Sequence, residues 1–199
     1  DPANPDSDGD LRSDGDEMLG DLETAFAKDP ASRDTLTRLV DLCERLGKTE
    51  ETARYSSLLA DHHLASGNLR ATETCLRKAL LVDAKDTELW ERLLEVLRRG
   101  GDKARILSAG RQFVGQLKKL GRLDVARKQL EALIRRYPRE LDLRLDLADV
   151  GFQLGEREGT LDELDRLGHK LLRNEQFDDA ERVFARIHKL DPGRREALD

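Results

Sequence analysis

Large apolar residues recur along this chain at steps of three and four positions, the spacing that places them on one side of an α-helix. Between residues 33 and 47, for example, the step is kept by Leu36, Leu39 and Val40. Gly47 then occupies the position just past a helix end, where glycine tolerates a left-handed backbone. No stretch alternates apolar and polar residues with the period of two that indicates a β-strand. The pattern predicts an all-α protein of about ten helices, joined by short loops that make consecutive helices antiparallel.

The same pattern returns every 54 residues without a gap. Residues that are 54 positions apart form a column of the repeat. Three columns that keep one class of residue are Leu39, Leu93 and Leu147, then Leu59, Phe113 and Leu167, and also Gly47, Gly101 and Gly155. A fixed period indicates stacked repeats, because each copy can bury its apolar side only against its neighbours. The helical pattern divides each copy into three helices. We therefore expect an incomplete copy at 14–30, followed by three full copies: the first at 31–84, the middle at 85–138 and the third at 139–192. The start of a further helix follows at 193–199.

Residues 1–13 differ from the rest of the chain. They are acidic, rich in Asp, Gly, Pro and Ser, and have Leu11 as their one large apolar side chain. Because such a segment cannot offset its ordering entropy by burial, we expect an acidic disordered tail or linker ahead of a helical repeat domain at 14–199. The chain does not begin with Met, and 194–198 look like the opening of a helix, so we expect a piece of a larger protein.

Two segments, 107–140 and 161–194, resemble the tetratricopeptide repeat, a helix-turn-helix unit of about 34 residues. In that family a small residue faces a large one where two helices cross, and a proline closes the unit. The corresponding residues are Phe113, Leu117, Ala126, Leu130 and Pro138 in the first segment, and Leu164, Gly168, Leu171, Ala180, Phe184 and Pro192 in the second. The resemblance implies a right-handed α-solenoid of antiparallel helix pairs, in which a three-helix sequence period overlies a two-helix structural one. Its concave face would hold an extended peptide or a partner's helix.

Some members of that family clamp the C-terminal carboxylate of a chaperone with Lys and Asn at fixed positions of the first helix. The matching positions in 107–140 are Arg111, Gly115 and Lys118. Because the Asn residues are missing, the resemblance does not extend to this specialised activity.

Composition narrows the class of partner. The chain is 38% charged and 4% aromatic, with a net charge of -6, which argues against nucleic acid as a partner. No apolar run approaches the roughly 20 residues needed to span a bilayer, and no signal peptide is visible. Cys43 and Cys75 lie on apolar helical stripes and are expected to be buried free thiols. We expect a cytoplasmic protein with no membrane span.

Charge is shared unevenly among the copies. The middle copy, 85–138, has 14 basic and 7 acidic residues, whereas the first 30 residues and the third copy are acidic. One interpretation is a solvated helix surface with cations near helix C-termini, where the macrodipole favours them. The other is an electropositive stretch of groove that attracts an acidic segment. The candidate partner-binding residues are Arg98, Arg99, Arg105, Arg111, Lys118, Lys119 and Arg122, together with Phe152, an aromatic residue in a column that is otherwise polar.

Catalytic chemistry has no recognisable motif here. The four histidines lack metal-ligand spacing, and no phosphate loop, paired CxxC or nucleophile elbow is present. We therefore expect no enzyme activity, no cofactor and no metal site. The predicted function is a protein–protein interaction scaffold that binds a peptide or a partner's helix in the superhelical groove, and an acidic segment is the candidate ligand of the basic middle copy. The alternatives are a self-association element that forms homo-oligomers, or a regulatory or spacer domain of a larger enzyme.

Overall fold

The computed structural model describes residues 14–193, which form ten α-helices and no β-strand. The helices are α1 (Asp14–Lys28), α2 (Arg33–Arg45), α3 (Thr49–Ala65), α4 (Leu69–Val82), α5 (Thr87–Gly100), α6 (Lys103–Lys119), α7 (Leu123–Arg136), α8 (Leu141–Gln153), α9 (Arg157–Arg173) and α10 (Phe177–Leu190). The all-α prediction is confirmed for this part of the chain. The predicted tail at 1–13 and the helix start at 194–199 lie outside the described residues.

The ends of α5 show how local sequence sets the helix boundaries. The carboxylate of Asp86 accepts hydrogen bonds from the backbone N–H groups of Glu88 and Leu89, at 2.8 and 3.1 Å. This N-cap satisfies two of the donors that a helix start leaves without an intrahelical partner. At the other end Gly101 has a φ of 77°, the left-handed conformation that ends a helix and that glycine adopts without strain. The repeated glycine column therefore marks helix ends.

The helices group into two compact units, here called the N-terminal unit (14–106) and the C-terminal unit (107–193). Within each unit consecutive helices pack against each other through the predicted apolar columns. The fully buried leucines of the N-terminal unit include Leu36, Leu39 and Leu93. In the C-terminal unit the buried centre includes Phe113 and Leu130. Full burial of each such side chain is worth about 1.5–3 kcal/mol, so these columns account for the stacking.

Close helix crossings occur where glycine faces a large residue. A Cβ atom at Gly168 on α9 would lie 2.7 Å from Cζ of Phe184 on α10, closer than packed carbons approach. This is the small-to-large pairing that the family resemblance implied. Gly110 on α6 makes a second such crossing, with Leu133 on α7, that the repeat columns did not reveal. Its column holds Ser56 and Leu164 in the other copies.

Helices two apart in the chain lie side by side. In the N-terminal unit, Tyr55 on α3 donates a hydrogen bond to Glu23 on α1 at 2.7 Å. Lys78 on α4 pairs with Glu44 on α2 at 2.8 Å. In the C-terminal unit, α10 is joined to α8 in the same way, by four residues that form the pairs Arg182–Asp142 and Arg186–Asp149. Alternate helices thus form two layers within each unit, the α-solenoid packing that the resemblance implied.

The layers have a consequence for the sequence repeat. The first turn of α6 belongs to the N-terminal unit, and its Arg105 pairs with Glu73 on α4. Helix α6 therefore begins beside α4, in the layer opposite α3. The first turn of α6 holds the same place in its 54-residue copy as the first turn of α3, yet within the N-terminal unit the two lie in opposite layers. Because each copy has three helices and successive helices alternate between two layers, the same helix of the next copy falls in the other layer.

Candidate functional site

A groove of about 540 Å³, here called the α6–α8 groove, lies in the C-terminal unit. One wall is formed by α6, where Arg111, Gly115 and Lys118 follow each other at steps of four and three and so share one side of the helix. The other wall is the start of α8, with Asp142 and Asp146 one turn apart. All three positions at which the resembling family binds a carboxylate therefore line this groove.

Arg111 is held across the α6–α8 groove by two carboxylates. Its Nε lies 2.7 Å from Oδ2 of Asp146, and its Nη1 lies 3.2 Å from Oδ2 of Asp142. The hydrogen bond to Asp146 raises the pKa of the guanidinium, against the opposing effect of burial. Asp142 also binds Arg182 on α10, so one row of charges joins three parallel helices. Charge-assisted, multidentate contacts of this kind fix an arginine in place, so Arg111 joins α6 to α8.

Lys118 differs from Arg111 in having no counter-charge. It forms no ion pair with any residue between 14 and 193, although its side chain lines the α6–α8 groove. Its column in the repeat holds Leu64 and Leu172, so the middle copy places a cation where its siblings are apolar. Gly115, one turn earlier, has open space where a Cβ would stand. Lys118 is therefore the cation of this groove that is available to a ligand.

The basic candidates near the turn between α5 and α6 are already paired. Arg98 and Arg99 both lie near Glu95, at 3.7 and 3.1 Å. Arg105 contacts Glu73, whose side chain is buried and which Arg77 also contacts at 2.9 Å. These arginines neutralise carboxylates of the N-terminal unit.

The other candidates lie elsewhere. Lys119 is exposed at the C-terminal end of α6, and Arg122 is exposed at the N-cap of α7. Phe152 is half-buried and packs against the apolar cluster of the C-terminal unit, with the guanidinium of Arg157 5.1 Å from its ring centre. The structure thus brings Arg111 and Lys118 together in one groove and distributes the remaining candidates over other surfaces.

The basic excess of the middle copy has a structural explanation that charge counting missed. Four of its arginines bridge to carboxylates that belong to the neighbouring copies, 29 to 35 residues away in sequence. The pairs are Arg92 with Asp61, Arg105 with Glu73, Arg111 with Asp142 and Asp146, and Arg127 with Glu156. The middle copy supplies the cations and its neighbours supply the carboxylates. Much of the charge difference is therefore consumed within the fold.

A second and larger groove, here called the α7–α9 groove, opens on the opposite side of α8 and has a volume of about 1060 Å³. Its floor includes Leu147, Ala148 and Leu167, and charged side chains of α7 and α9 form its rims. Residues 144, 148 and 151 of α8 face this groove, whereas 142 and 146 face the α6–α8 groove. Helix α8 thus carries a different surface on each side.

Between residues 14 and 193, no group of three or more His, Cys, Asp or Glu side chains could hold a metal ion. In the same part of the chain, every helix is too short or too polar to cross a membrane.

Solved structures similar to this chain include several repeat proteins. A tetratricopeptide repeat protein from Parabacteroides merdae is 17% identical, with 89% of this chain and 87% of that chain covered and a TM-score of 0.29. A double mutant of MamA is 14% identical, with 94% and 99% covered and a TM-score of 0.33. YrrB, described as a TPR protein with an unusual peptide-binding site, is 13% identical, with 86% and 93% covered and a TM-score of 0.26. At these identities and TM-scores, the likenesses say nothing about what this chain binds.

No curated protein matches the chain. The family model described as Tetratricopeptide repeat matches residues 117–163. The match begins in α6, includes α7 and α8 completely and ends in α9, so it is centred on a different helix pair from 107–140 and 161–194. The chain therefore contains a segment that matches the tetratricopeptide repeat family, and the resemblance seen in the sequence is confirmed.

Proposed function

We propose that this chain is a protein-interaction scaffold that receives an acidic segment of a partner protein in the α6–α8 groove. The observation that carries this proposal is Lys118, a groove-lining cation that no carboxylate among residues 14–193 neutralises. The match of 117–163 to the tetratricopeptide repeat supports the general role, because such repeats form binding surfaces.

The charges of the groove limit how acidic the partner segment can be. Arg111 and Lys118 face Glu140, Asp142 and Asp146 in the same groove. Since Arg111 is held by two of these carboxylates, a long acidic run would meet more repulsion than attraction. The fitting ligand has one carboxylate for Lys118 and neutral residues on either side of it.

The shape of the groove favours an extended segment with small or apolar neighbours. Leu107 and Leu143 line it alongside the charged side chains. Gly115 leaves the centre of the α6 wall without a side chain, so a ligand backbone can approach the helix there. Because Lys118 is the available cation of the groove and apolar contacts lie beside it, the groove would select a peptide whose carboxylate stands at a fixed distance from its apolar residues.

Fluorescence anisotropy with the full chain tests this proposal. The probe is a labelled peptide with one Glu among Ser, Gln and Leu residues, and its control has Gln in place of that Glu. Reversal of Lys118 (Lys118→Glu) should weaken binding of the Glu peptide by about fivefold to tenfold, since a partly exposed ion pair contributes on the order of 1 kcal/mol. Binding of the Gln peptide should change little.

Lys119→Glu is the matched control, because Lys119 is the adjacent cation and does not line the groove. It makes the same change in net charge and should leave the affinity for the Glu peptide within about twofold, because its side chain is exposed outside the groove, where salt screens its charge. Equal losses in the two variants, or equal binding of the two peptides by the unaltered chain, would contradict the proposal.

A further inference from the structure

We infer that the α7–α9 groove is a second docking surface, which receives an amphipathic helix from a partner protein. This inference is independent of the α6–α8 groove, because the two grooves lie on opposite sides of α8 and share no lining residue. It rests on uncovered core positions, on the arrangement of three helix faces and on the distribution of charge.

The floor of the α7–α9 groove consists of residues that belong to core columns of the repeat. Leu39 and Leu93 are fully buried, whereas Leu147, the next member of their column, is half-buried and lines the groove. Phe113 is likewise fully buried, whereas Leu167 in the same column is half-buried and also lines the groove. Two apolar side chains that the repeat covers elsewhere thus remain open to solvent here, and burying them would stabilise a complex.

Three helix faces shape the groove into a trough. From α7 it is lined by Arg127, Glu131 and Ile134, and from α9 by Glu163 and Lys170, all at helical steps of three, four or seven. The floor between them is the side of α8 that carries its small residues, Ala148 and Gly151. A trough bounded by two parallel helices, with an apolar floor, has the form that receives an apolar helix stripe in helix-in-groove recognition.

The two ends of the trough carry opposite charge. Helices α7 and α9 run antiparallel to α8, so the end of α7, the start of α8 and the end of α9 meet at one end. The cations of this basic end are Arg139, Arg144 and Lys170, and its carboxylate, Asp179, is paired with Arg182 at 3.3 Å. Arg166 and Glu131 lie near the middle of the trough. The opposite end has Glu163, together with Arg127 and Glu156, which neutralise each other in an ion pair of 2.5 Å. Charge complementarity therefore calls for a bipolar helix, with carboxylates near one end and Lys or Arg near the other.

Peptide binding to the full chain tests the inference. Three labelled helical peptides share one leucine stripe and differ in their charged residues: the bipolar peptide has Glu at one end and Lys at the other, and the other two have only Glu or only Lys. We expect the bipolar peptide to bind at least about tenfold more tightly than either of the others. Failure of the bipolar peptide to bind, or equal binding of all three, would overturn the inference.

Variants of the chain locate the binding site. Leu147→Lys should abolish binding of the bipolar peptide, whereas Leu81→Lys, the same change at an 86% exposed leucine of the N-terminal unit, should leave it unchanged. Loss in both variants would indicate non-specific apolar contact and contradict the inference. Because Leu147→Lys can also destabilise the fold, the pair Arg144→Glu and Lys170→Glu, both exposed, gives a second test. Together they reverse two cations of the basic end and should shift the preference from the bipolar to the all-Lys peptide, and an unchanged preference would contradict the inference.

Sedimentation velocity distinguishes a partner's helix from a second copy of the chain. The unaltered chain should sediment as a monomer at the concentrations used for peptide binding. A dimer that Leu147→Lys dissociates would show that another copy occupies the groove, which would overturn the assignment to a partner.

Discussion

The N-terminal and C-terminal units are built from the same repeat, yet they differ in how completely they close. In the N-terminal unit Leu39 and Leu93 are fully buried, and the cavity beside α4 measures about 410 Å³. In the C-terminal unit Leu147 and Leu167 are half-buried, and grooves of about 540 and 1060 Å³ open on the two sides of α8. Equal apolar columns therefore do not produce equal surfaces, and both proposed docking surfaces lie in the unit whose columns are less completely buried.

The shifts in pKa that are caused mainly by burial lie in the N-terminal unit, whereas shifts caused by ion pairs occur in both units. Burial is the main reason why the pKa values of Cys43 and Cys75 are raised and that of His63 is lowered, and all three lie in the N-terminal unit. In the C-terminal unit the pKa values of Arg111 and Arg127 are raised, and the main cause is a hydrogen bond to a carboxylate. The N-terminal unit contains such a contact as well, because the hydrogen bond to Asp16 is the main reason why the pKa of Lys48 is raised. Hydrogen-bonded ion pairs therefore occur in both units.

One substitution made at equivalent positions tests the contrast in closure and has the largest expected effect. Leu39→Ala should lower the free energy of unfolding by about 2–5 kcal/mol, because it leaves a cavity in a closed core. Leu147→Ala should cost only about 1 kcal/mol, because part of the side chain is already solvated and water can fill the space. Urea unfolding of both variants, followed by circular dichroism, measures the difference, and equal costs would show that the two units are equally closed.

A glycine pair in α9 tests how tightly the C-terminal unit packs away from its grooves. Gly168→Ala should destabilise the unit by about 1–3 kcal/mol, because the new methyl group would press on the ring of Phe184. Gly159→Ala in the same helix meets nothing within 4 Å and should be neutral or stabilise by about 0.5–1 kcal/mol. Thermal unfolding of the two variants gives the comparison. A neutral Gly168→Ala would mean that the hairpin of α9 and α10 is loosely packed.

Alkaline titration tests the closure of the N-terminal unit at the contact between α1 and α3. Burial, with the hydrogen bond to Glu23, raises the pKa of Tyr55 to about 12. Since an unfolded tyrosine ionises near 10, this group stabilises the fold fully below about pH 10, and the contribution is lost as pH rises through 12. Phenolate absorbance should therefore show one tyrosine titrating late, and Tyr55→Phe should remove that step at a cost of about 1 kcal/mol at neutral pH. A late step that persists in Tyr55→Phe would contradict this assignment.

Mild acid should produce the smallest effect, again in the N-terminal unit. The pKa of His63 is lowered, chiefly by burial and also by Arg33 and His62, and its Nδ1 is buried without a partner among residues 14–193. The unfolded chain therefore takes up this proton first, so stability should fall as pH decreases below about 6.5. His63→Gln should flatten this part of the stability curve, as measured by urea unfolding between neutral and mildly acidic pH. An unchanged slope would assign the acid sensitivity to other groups.

Much of the fold could be predicted because it depends on local pattern. The step of three and four locates the helices, and the glycine column and caps such as Asp86 mark the ends of some of them. The observed helix Arg33–Arg45 lies within the stretch 33–47, whose pattern predicted it. These signals act over one or two helical turns, so a single sequence contains them completely.

The basic excess of the middle copy could not be interpreted from the sequence, because the carboxylates and hydroxyl groups that its arginines contact lie two helices away in the chain. Arg92 donates to Ser57 at 2.9 Å, and the equivalent positions one copy later hold the ion pair of Asp146 with Arg111. The donor and acceptor have exchanged helices, so neither position is constant in its column. When charges are counted copy by copy, this exchange of arginine and carboxylate between helices appears as an excess of basic residues in the middle copy. In the structure, the exchanged residues form ion pairs that join neighbouring helices.

The floor of the α7–α9 groove was missed for a different reason. Leu147 and Leu167 belong to regular apolar columns, and a regular column predicts burial in every copy. Burial depends on how closely the adjacent helices approach, which the column does not encode. Lys118 was named because it belongs to the basic block of the middle copy, and Phe152 because it departs from its column. Departures in residue type can be seen in the sequence, whereas departures in packing cannot.

Amide chemical shifts of the isotopically labelled full chain, titrated with the single-Glu peptide, test the central claim that binding belongs to the open unit. The account predicts shift changes confined to residues 107–119 of α6 and to α8, centred on Gly115, Lys118 and the first turn of α8. Residues 14–106 should remain unchanged, and Lys118→Glu should remove the changes. Shift changes centred in the N-terminal unit, or spread evenly over both units, would contradict it.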